Sequence, residues 1–418
     1  MHIYRLENVV QPYEWGSNTA IADMLGRPSP SPEPQAELWM GTHPKGSSMV
    51  VAGDQKIPLQ QLIDRQPVGI LGRDASMRYG NVLPYLFKVL AAARPLSIQA
   101  HPGKRQAIEG FARENRQGKA VDAPDRNYRD DNHKPEIICA LTPFWGLNGF
   151  RPAAAVVDLL APVCPTALDD AFQDLKRRQG KGFRNFFAVM MTLSAEKRKA
   201  AAREVLDKAG PLADESPIYQ WMVNLACAYP ADMGVLSPAL LNLIRLEPGQ
   251  AMFLPAGQLH AYLDGVGIEL MANSDNVLRG GLTPKHVDVP DLLSVVRFEE
   301  TSIKILEPGP TGPAESGYDC PAEEFSLTVI RPSNAQPYIS RSIRNVEMLL
   351  CTAGGGQIEY RGHKEEHLTV KRGDSFLVPA GLEAYTIDGN LTVYKAAVPL
   401  LRPSSKASQA IKIDGCRC

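Results

Sequence analysis

The feature that most constrains this chain is an internal repeat. GQAMFLPAGQLHAY, beginning at Gly249, and GDSFLVPAGLEAY, beginning at Gly373, both place Pro-Ala-Gly six residues after a glycine and inside an apolar run. Proline and glycine in the middle of such a run divide it into a strand, a tight turn and a second strand. A chain that writes this unit twice is committed to two related β structures. The copies part company at a chemically decisive point, because the first carries His260 while the second has Glu383 and Ala384 there and no histidine. The second copy is therefore read as a structural β unit without a metal.

The sequence between and around the copies changes character along the chain. Up to about residue 150 it reads as short strands punctuated by Pro and Gly, as in NVLPYLFKVLAAARPLSIQAH. From Pro152 to about Leu243 it turns Ala/Leu-rich with apolar spacings of three and four, and SAEKRKAAAREVLDKAG opens on Ser194 as a helix N-cap. Strand-like sequence then returns at RLEPGQAMFLPAGQLHAYL. A length of 418 residues exceeds one typical core. The expected division is 1–150 with 244–300 as one β unit, 151–243 as a helical insertion, 301–400 as a second β unit and 401–418 as a tail.

Charge and cysteine usage exclude several classes of partner. Forty-five basic residues against 46 acidic ones leave a formal net charge of -1, which gives no global electrostatic case for nucleic acid or an anionic membrane. No apolar stretch approaches the length that spans a bilayer, and MHIYRLENVVQPYEWGS does not follow the pattern of a secretory leader. Seven scattered cysteines, odd in number and without a CxxC pair, are the pattern of reduced thiols in a cytoplasmic protein. The closing GCRC, with Cys416 and Cys418, reads as a frayed tail.

Two further segments concentrate metal-ligand chemistry. In QAHPGKRQA, with ARPLSI leading in as a strand, the period of two puts Gln99 and His101 on one side and Ala100 on the other. In HKPEIICAL the same alternation puts Lys134 and Glu136 together, opposite His133 and Pro135, and the apolar IICAL carries Glu136 to the mouth of a core. A carboxylate there needs a salt-bridging cation or a metal. Taken together, Gln99, His101, Glu136 and His260 offer two imidazoles, one carboxylate and one amide oxygen. A set without thiolate suits a borderline or hard divalent ion with an open position, and one carboxylate leaves such a dication about one net positive charge as a Lewis acid.

At this point the sequence resembles the type I mannose-6-phosphate isomerases, in the bacterial branch with a helical insertion. The resemblance rests on YEWGS, SIQAHPGK, RNYRDDNHKPEIICALTPF and LPAGQLHAYLDGVGIELMANSDNVLRGGLTPKHVD, spread in order over most of the chain. HKPE and SDNVLRGGLTPKH are its specific parts. It implies a mainly β fold, a pair of cupin-type (jelly-roll) β-barrels with an α-helical insertion domain. It also implies one Zn²⁺ per chain on Gln99, His101, Glu136 and His260, and a catalytic arginine at Arg279. Ser97, Lys104 and Lys285 fall where the family places polar or basic groups around its site. Ala100 departs from the larger apolar residue that relatives often carry there, on the side away from the metal.

The reaction so implied moves a proton between C1 and C2 of a phosphorylated hexose through an enediol. His133, Lys134, Glu269 and Asp275 are all candidate acids or bases for it. Lys285 is the first candidate for the phosphate anchor, followed by Arg279 and Ser97, and Trp15 and Tyr262 are expected to line the pocket or the core next to it. Two other readings fit the bare ligand set. A cupin-type non-haem iron oxygenase also uses two histidines and a carboxylate, although Gln99 fills a position that such an enzyme keeps open. A non-catalytic sugar-binding double cupin leaves Arg279 and the basic cluster without a purpose. The chain is expected to act as a cytoplasmic monomer.

Overall fold

The computed structural model describes residues 1–400 apart from 53, 54, 334 and 363, so the GCRC segment lies outside the described residues. The chain is mainly β, in two antiparallel sheets of ten and eleven strands with helices between their strands. Among the described residues the hydrogen-bonded path closes on itself in neither sheet, so the β units are open, folded-over sheets.

The strand His260–Ala272 organises the ten-stranded sheet. Its first part pairs with Phe144–Phe150 and, through His260, with Gln99; from Gly265 onward it pairs with Tyr85–Ala92 and Glu136–Ala140. Gly265 is the corner. Its φ of +117° suits glycine, and a Cβ there would sit 2.6 Å from the Pro143 carbonyl oxygen. The second copy repeats the device, because Gly389 stands at the same offset from its Pro-Ala-Gly turn with φ +118°. The two copies fold as Ala251–Leu254 with His260–Ala272 and as Ser375–Val378 with Tyr385–Ala397.

Alternation decides what each face of these strands does. Phe87, Val89, Ile137, Cys139, Ile268 and Leu270 point into one apolar core shared with Leu327, Val329, Met348, Leu350 and Leu377 of the other sheet. The interleaved residues Lys88, Glu136 and Glu269 point the opposite way, into the folded-over interior. Farther along, Ile98, Ala100, Leu147, Ala261 and Leu278 are buried against the helices between Ala153 and Leu240. There Phe150 stacks on Phe183 with ring centroids 4.8 Å apart. The helices thus cover the back of the strands whose front carries Gln99, His260 and Arg279. Ser194 caps Ala195–Ala209 as expected, accepting from the Lys197 N–H at 3.3 Å.

Three local expectations change. The lead-in to Gln99 is a strand only over Ile98–Ala100, since Pro95 interrupts it, and His101 lies just beyond. Lys104–Arg116 is a 13-residue helix inside the stretch read as short strands; it starts after Gly103, whose N–H is held by Gln106 Oε1 at 2.9 Å. Tyr4–Glu7 and Met49–Ala52, early in the chain, join the sheet of the carboxy-terminal unit, with Tyr4 opposite Leu377 and Arg5 opposite Val51.

Candidate active site and metal centre

Strand register assembles the site. Gln99 lies directly opposite His260 on one side and Arg279 on the other, so the three side chains share a face. Met271 and Leu254 flank Glu136 in the same way and leave its carboxylate pointing inward. His101 Nε2 lies 3.4 Å from Glu136 Oε1, and His260 Nε2 lies 3.6 Å from Glu136 Oε2. All three side chains are buried.

The imidazoles are oriented by their other nitrogens. His101 Nδ1 donates to the Asn276 carbonyl at 2.7 Å and His260 Nδ1 to the Gln258 carbonyl at 3.0 Å. A carbonyl can only accept, so both Nε2 atoms are bare lone pairs aimed at Glu136. His101 Nε2 is buried with no hydrogen-bond partner. Burial lowers the His101 imidazole and brings His260 down to about 4, which keeps both neutral near pH 7. Burial works against the Glu136 carboxylate, but the Lys134 ammonium at 3.1 Å, helped by His101, holds it well below the usual range.

This arrangement fits a metal. One ligand atom from each of His101, Glu136 and His260 lies within 4.8 Å of the others, the one such cluster found among the described residues. Tetrahedral zinc with bonds of about 2.0–2.1 Å needs ligand atoms roughly 3.4 Å apart; the histidine–Glu136 separations, one to each carboxylate oxygen, are 3.4 and 3.6 Å. Gln99 completes the face. Its amide nitrogen donates to Ser97 Oγ at 3.2 Å, which leaves its oxygen as an acceptor on the face of His260.

The other expected residues divide. Lys134 and Glu269 reach the buried face, and the Tyr262 hydroxyl donates to Glu136 Oε2 at 3.4 Å. Trp15 packs against the apolar cluster that contains Tyr262, Leu90 and Ile138. His133 is turned away and sits 2.6 Å from Glu324 Oε1 of the carboxy-terminal unit. Asp275 is held between His43 Nε2 at 3.2 Å and Lys45 Nζ at 2.8 Å, and Lys104 is engaged with Asn132 at 3.1 Å. Arg279 is partly buried and Lys285 lies exposed in the following loop.

Sequence reasoning missed an ion-pair chain along one rung of the sheet. Trp39, Lys88 and Glu269 are direct neighbours across three strands. Lys88 Nζ lies 2.7 Å from Glu269 Oε2 and 3.6 Å from Glu37 Oε2, and Trp39 Nε1 donates to Glu37. A signal was available, because Lys88 is the single charge in the fully buried strand YLFKVLAA. Also missed was Asn276, fully buried, which ties His101 to residues 129–132.

The second copy shows what replaces a metal. Glu347 stands opposite Val378 as Glu136 stands opposite Leu254, immediately before the proline of each turn. Instead of imidazoles it meets Arg344 Nε at 3.2 Å, Lys395 Nζ at 3.3 Å and the Tyr385 hydroxyl at 2.9 Å. Cations of the chain itself neutralise it.

Comparison with known proteins agrees with this geometry. Residues 3–153 match the family model of the phosphomannose isomerase type I catalytic domain. The mannose-6-phosphate isomerase of Escherichia coli (strain K12) is 40% identical over 390 residues, covering 92% of this chain and 97% of that protein. The chain belongs to the type I phosphomannose isomerase family. Among solved structures, a variant of phosphomannose isomerase from Salmonella typhimurium superposes with a TM-score of 0.87 at 36% identity, covering 95% of this chain and all of that one. A zinc-bound mannose 6-phosphate isomerase matches with a TM-score of 0.86, the same identity and the same coverage. Family membership disfavours both the oxygenase and the non-catalytic readings.

Proposed function

We propose that the protein interconverts mannose 6-phosphate and fructose 6-phosphate with one zinc ion per chain, held by Gln99, His101, Glu136 and His260. The observation that carries this reading is the convergence of two bare, buried imidazole lone pairs on one buried carboxylate. Bound there, zinc supplies Lewis acidity toward the substrate's carbonyl and hydroxyl oxygens.

The chain's own residues supply the rest. Arg279, on the same face as Gln99, offers guanidinium donors to the oxygen that gains charge in the enediolate. Lys285 fixes the phosphate, so that binding energy at the far end sets the register of C1 and C2. Proton transfer is assigned to Lys134 and Glu269, which are buried on the Glu136 side of the sheet, whereas His133 meets Glu324 of the carboxy-terminal unit and Asp275 sits between His43 and Lys45. Burial, with Glu136 adding and Lys88 opposing, raises the Glu269 carboxyl and makes it a better proton acceptor. Trp15 and Tyr262 form an apolar wall that limits water.

All four ligands come from 1–150 and 244–300, which supports treating these segments as the catalytic unit, with 151–243 as a helical backing and 301–400 as a carboxy-terminal unit. One chain supplies the whole ligand set, so a monomer suffices. The five described cysteines are unpaired, which fits a reducing cytoplasm, and no helix among the described residues is long and apolar enough to cross a membrane. The test is a coupled assay with mannose 6-phosphate before and after chelation. Turnover should vanish on chelation and return with zinc; turnover that persists without metal refutes the assignment.

A further inference from the structure

Arg129, Arg279 and Lys285 have no anionic partner among the described residues, and the Arg129 backbone is held by Asn276, three residues before Arg279. Nearby Lys45 and Lys104 are occupied, by Asp275 and by Asn132 with Asp131. The three sense one another. Burial lowers Arg279 from its ordinary value and the charge of Arg129 lowers it further, while burial, Arg279, Arg129 and Lys45, in that order, lower Lys285. Like charges held together without a counter-charge are costly unless a ligand brings the negative charge.

Arg129 is placed by construction. Its backbone N–H donates to Asn276 Oδ1 at 2.7 Å, and that of Asp130 follows at 3.2 Å. The Asn276 amide group donates back to the carbonyls of Asp130 at 2.9 Å and Asn132 at 2.8 Å. Asp130 Oδ2 accepts from the Asp275 N–H at 2.7 Å, and Oδ1 accepts from Ser274 Oγ at 2.8 Å. The carbonyl of the same Asn276 orients His101. One buried asparagine therefore references the Arg129 loop to the metal end of the site, and Arg279 follows it by three residues on the neighbouring strand.

We propose that Arg129 is a direct phosphate contact for the sugar substrate, sharing the dianion with Lys285 and leaving Arg279 to the reacting oxygens. The proposal rests on the isomerase reading above and extends it to a residue outside the SDNVLRGG and HKPE motifs. A guanidinium on a fixed backbone gives a planar, two-pronged contact to phosphate oxygens, which a mobile surface arginine does not.

The test compares Arg129→Ala and Arg129→Lys holoenzymes with wild type, using mannose 6-phosphate as substrate and inorganic phosphate as competitive inhibitor. Loss of a charge-assisted hydrogen bond should raise KM by about tenfold to a hundredfold. The inhibition constant for phosphate should rise by a similar factor, with kcat, zinc content and thermal midpoint nearly unchanged, and Arg129→Lys should fall between. Unchanged KM and phosphate inhibition in both variants overturn the proposal, as does a fall in kcat at constant KM. If wild type does not turn over mannose 6-phosphate, the isomerase reading fails on its own. Calorimetry with inorganic phosphate then still decides the role of Arg129: binding by wild type and not by Arg129→Ala supports it, equal binding refutes it.

Discussion

Replacing Lys88 by methionine tests whether the buried rung of charges is a working part of the fold. The methionine keeps a long side chain between Trp39 and Glu269 but removes the ammonium that lies 2.7 Å from Glu269 and 3.6 Å from Glu37. All three partners are almost fully shielded from solvent, so neither carboxylate can turn to water. Removing one partner of a buried pair typically costs about 3–5 kcal/mol, because a charge is left uncompensated. The sign of the pH dependence follows. Burial already raises the Glu269 carboxyl, and Lys88 is the largest influence lowering it. Without Lys88 it rises further and takes up a proton more readily, so the deficit should shrink as pH falls from 8 toward 5. Denaturant unfolding of Lys88→Met, Glu269→Gln and the double variant gives the coupling directly. The double variant should be more stable than the sum of the single losses implies, by roughly 1–3 kcal/mol. Additive losses, or a Lys88→Met protein as stable as wild type at pH 7, refute the reasoning.

Other consequences can be measured on single variants. Arg279→Lys keeps the charge and loses the planar fork, so kcat should fall about a hundredfold with zinc retained and the thermal midpoint nearly unmoved; a rise in KM alone moves Arg279 to phosphate binding. Asp275 gives a pH test of stability. Burial raises its carboxyl, but the hydrogen bonds from His43 and Lys45 prevail and hold it below its ordinary 3.8. A depressed carboxyl contributes stability that is present above its unfolded value and lost as pH falls through the folded one. The thermal midpoint of Asp275→Asn should therefore lie below that of wild type at pH 6, and the gap should narrow below about pH 4; a gap that does not change with pH contradicts this.

Much of the architecture was legible because it is local. The Pro-Ala-Gly repeat marked both strand pairs, the spacing of apolar residues marked the helices from Ala153 onward, and Lys134 does lie beside Glu136, 3.1 Å away, although the strand read through HKPE begins only at Glu136. His133, ahead of that strand, meets Glu324 instead. What stayed hidden depends on partners distant in sequence. The register that sets Lys88 against Glu269 is fixed by two strands far apart in the chain. Tyr4 finds Leu377 near the other end, which no local pattern announces. Asn276 matters because it reaches Arg129, Asp130, Asn132 and His101 at once. Glu347 takes the place of Glu136 only through its pairing with Val378, more than 30 residues on.

The central claim is that Gln99, His101, Glu136 and His260 hold a catalytic zinc. The most direct measurement is metal content and turnover, determined together on wild type and on His260→Ala from the same preparation. The account predicts about one zinc per chain in wild type. In the variant zinc and mannose 6-phosphate turnover should be lost together, while the far-ultraviolet circular dichroism spectrum is kept. A His260→Ala protein that lacks zinc and still isomerises mannose 6-phosphate would contradict it.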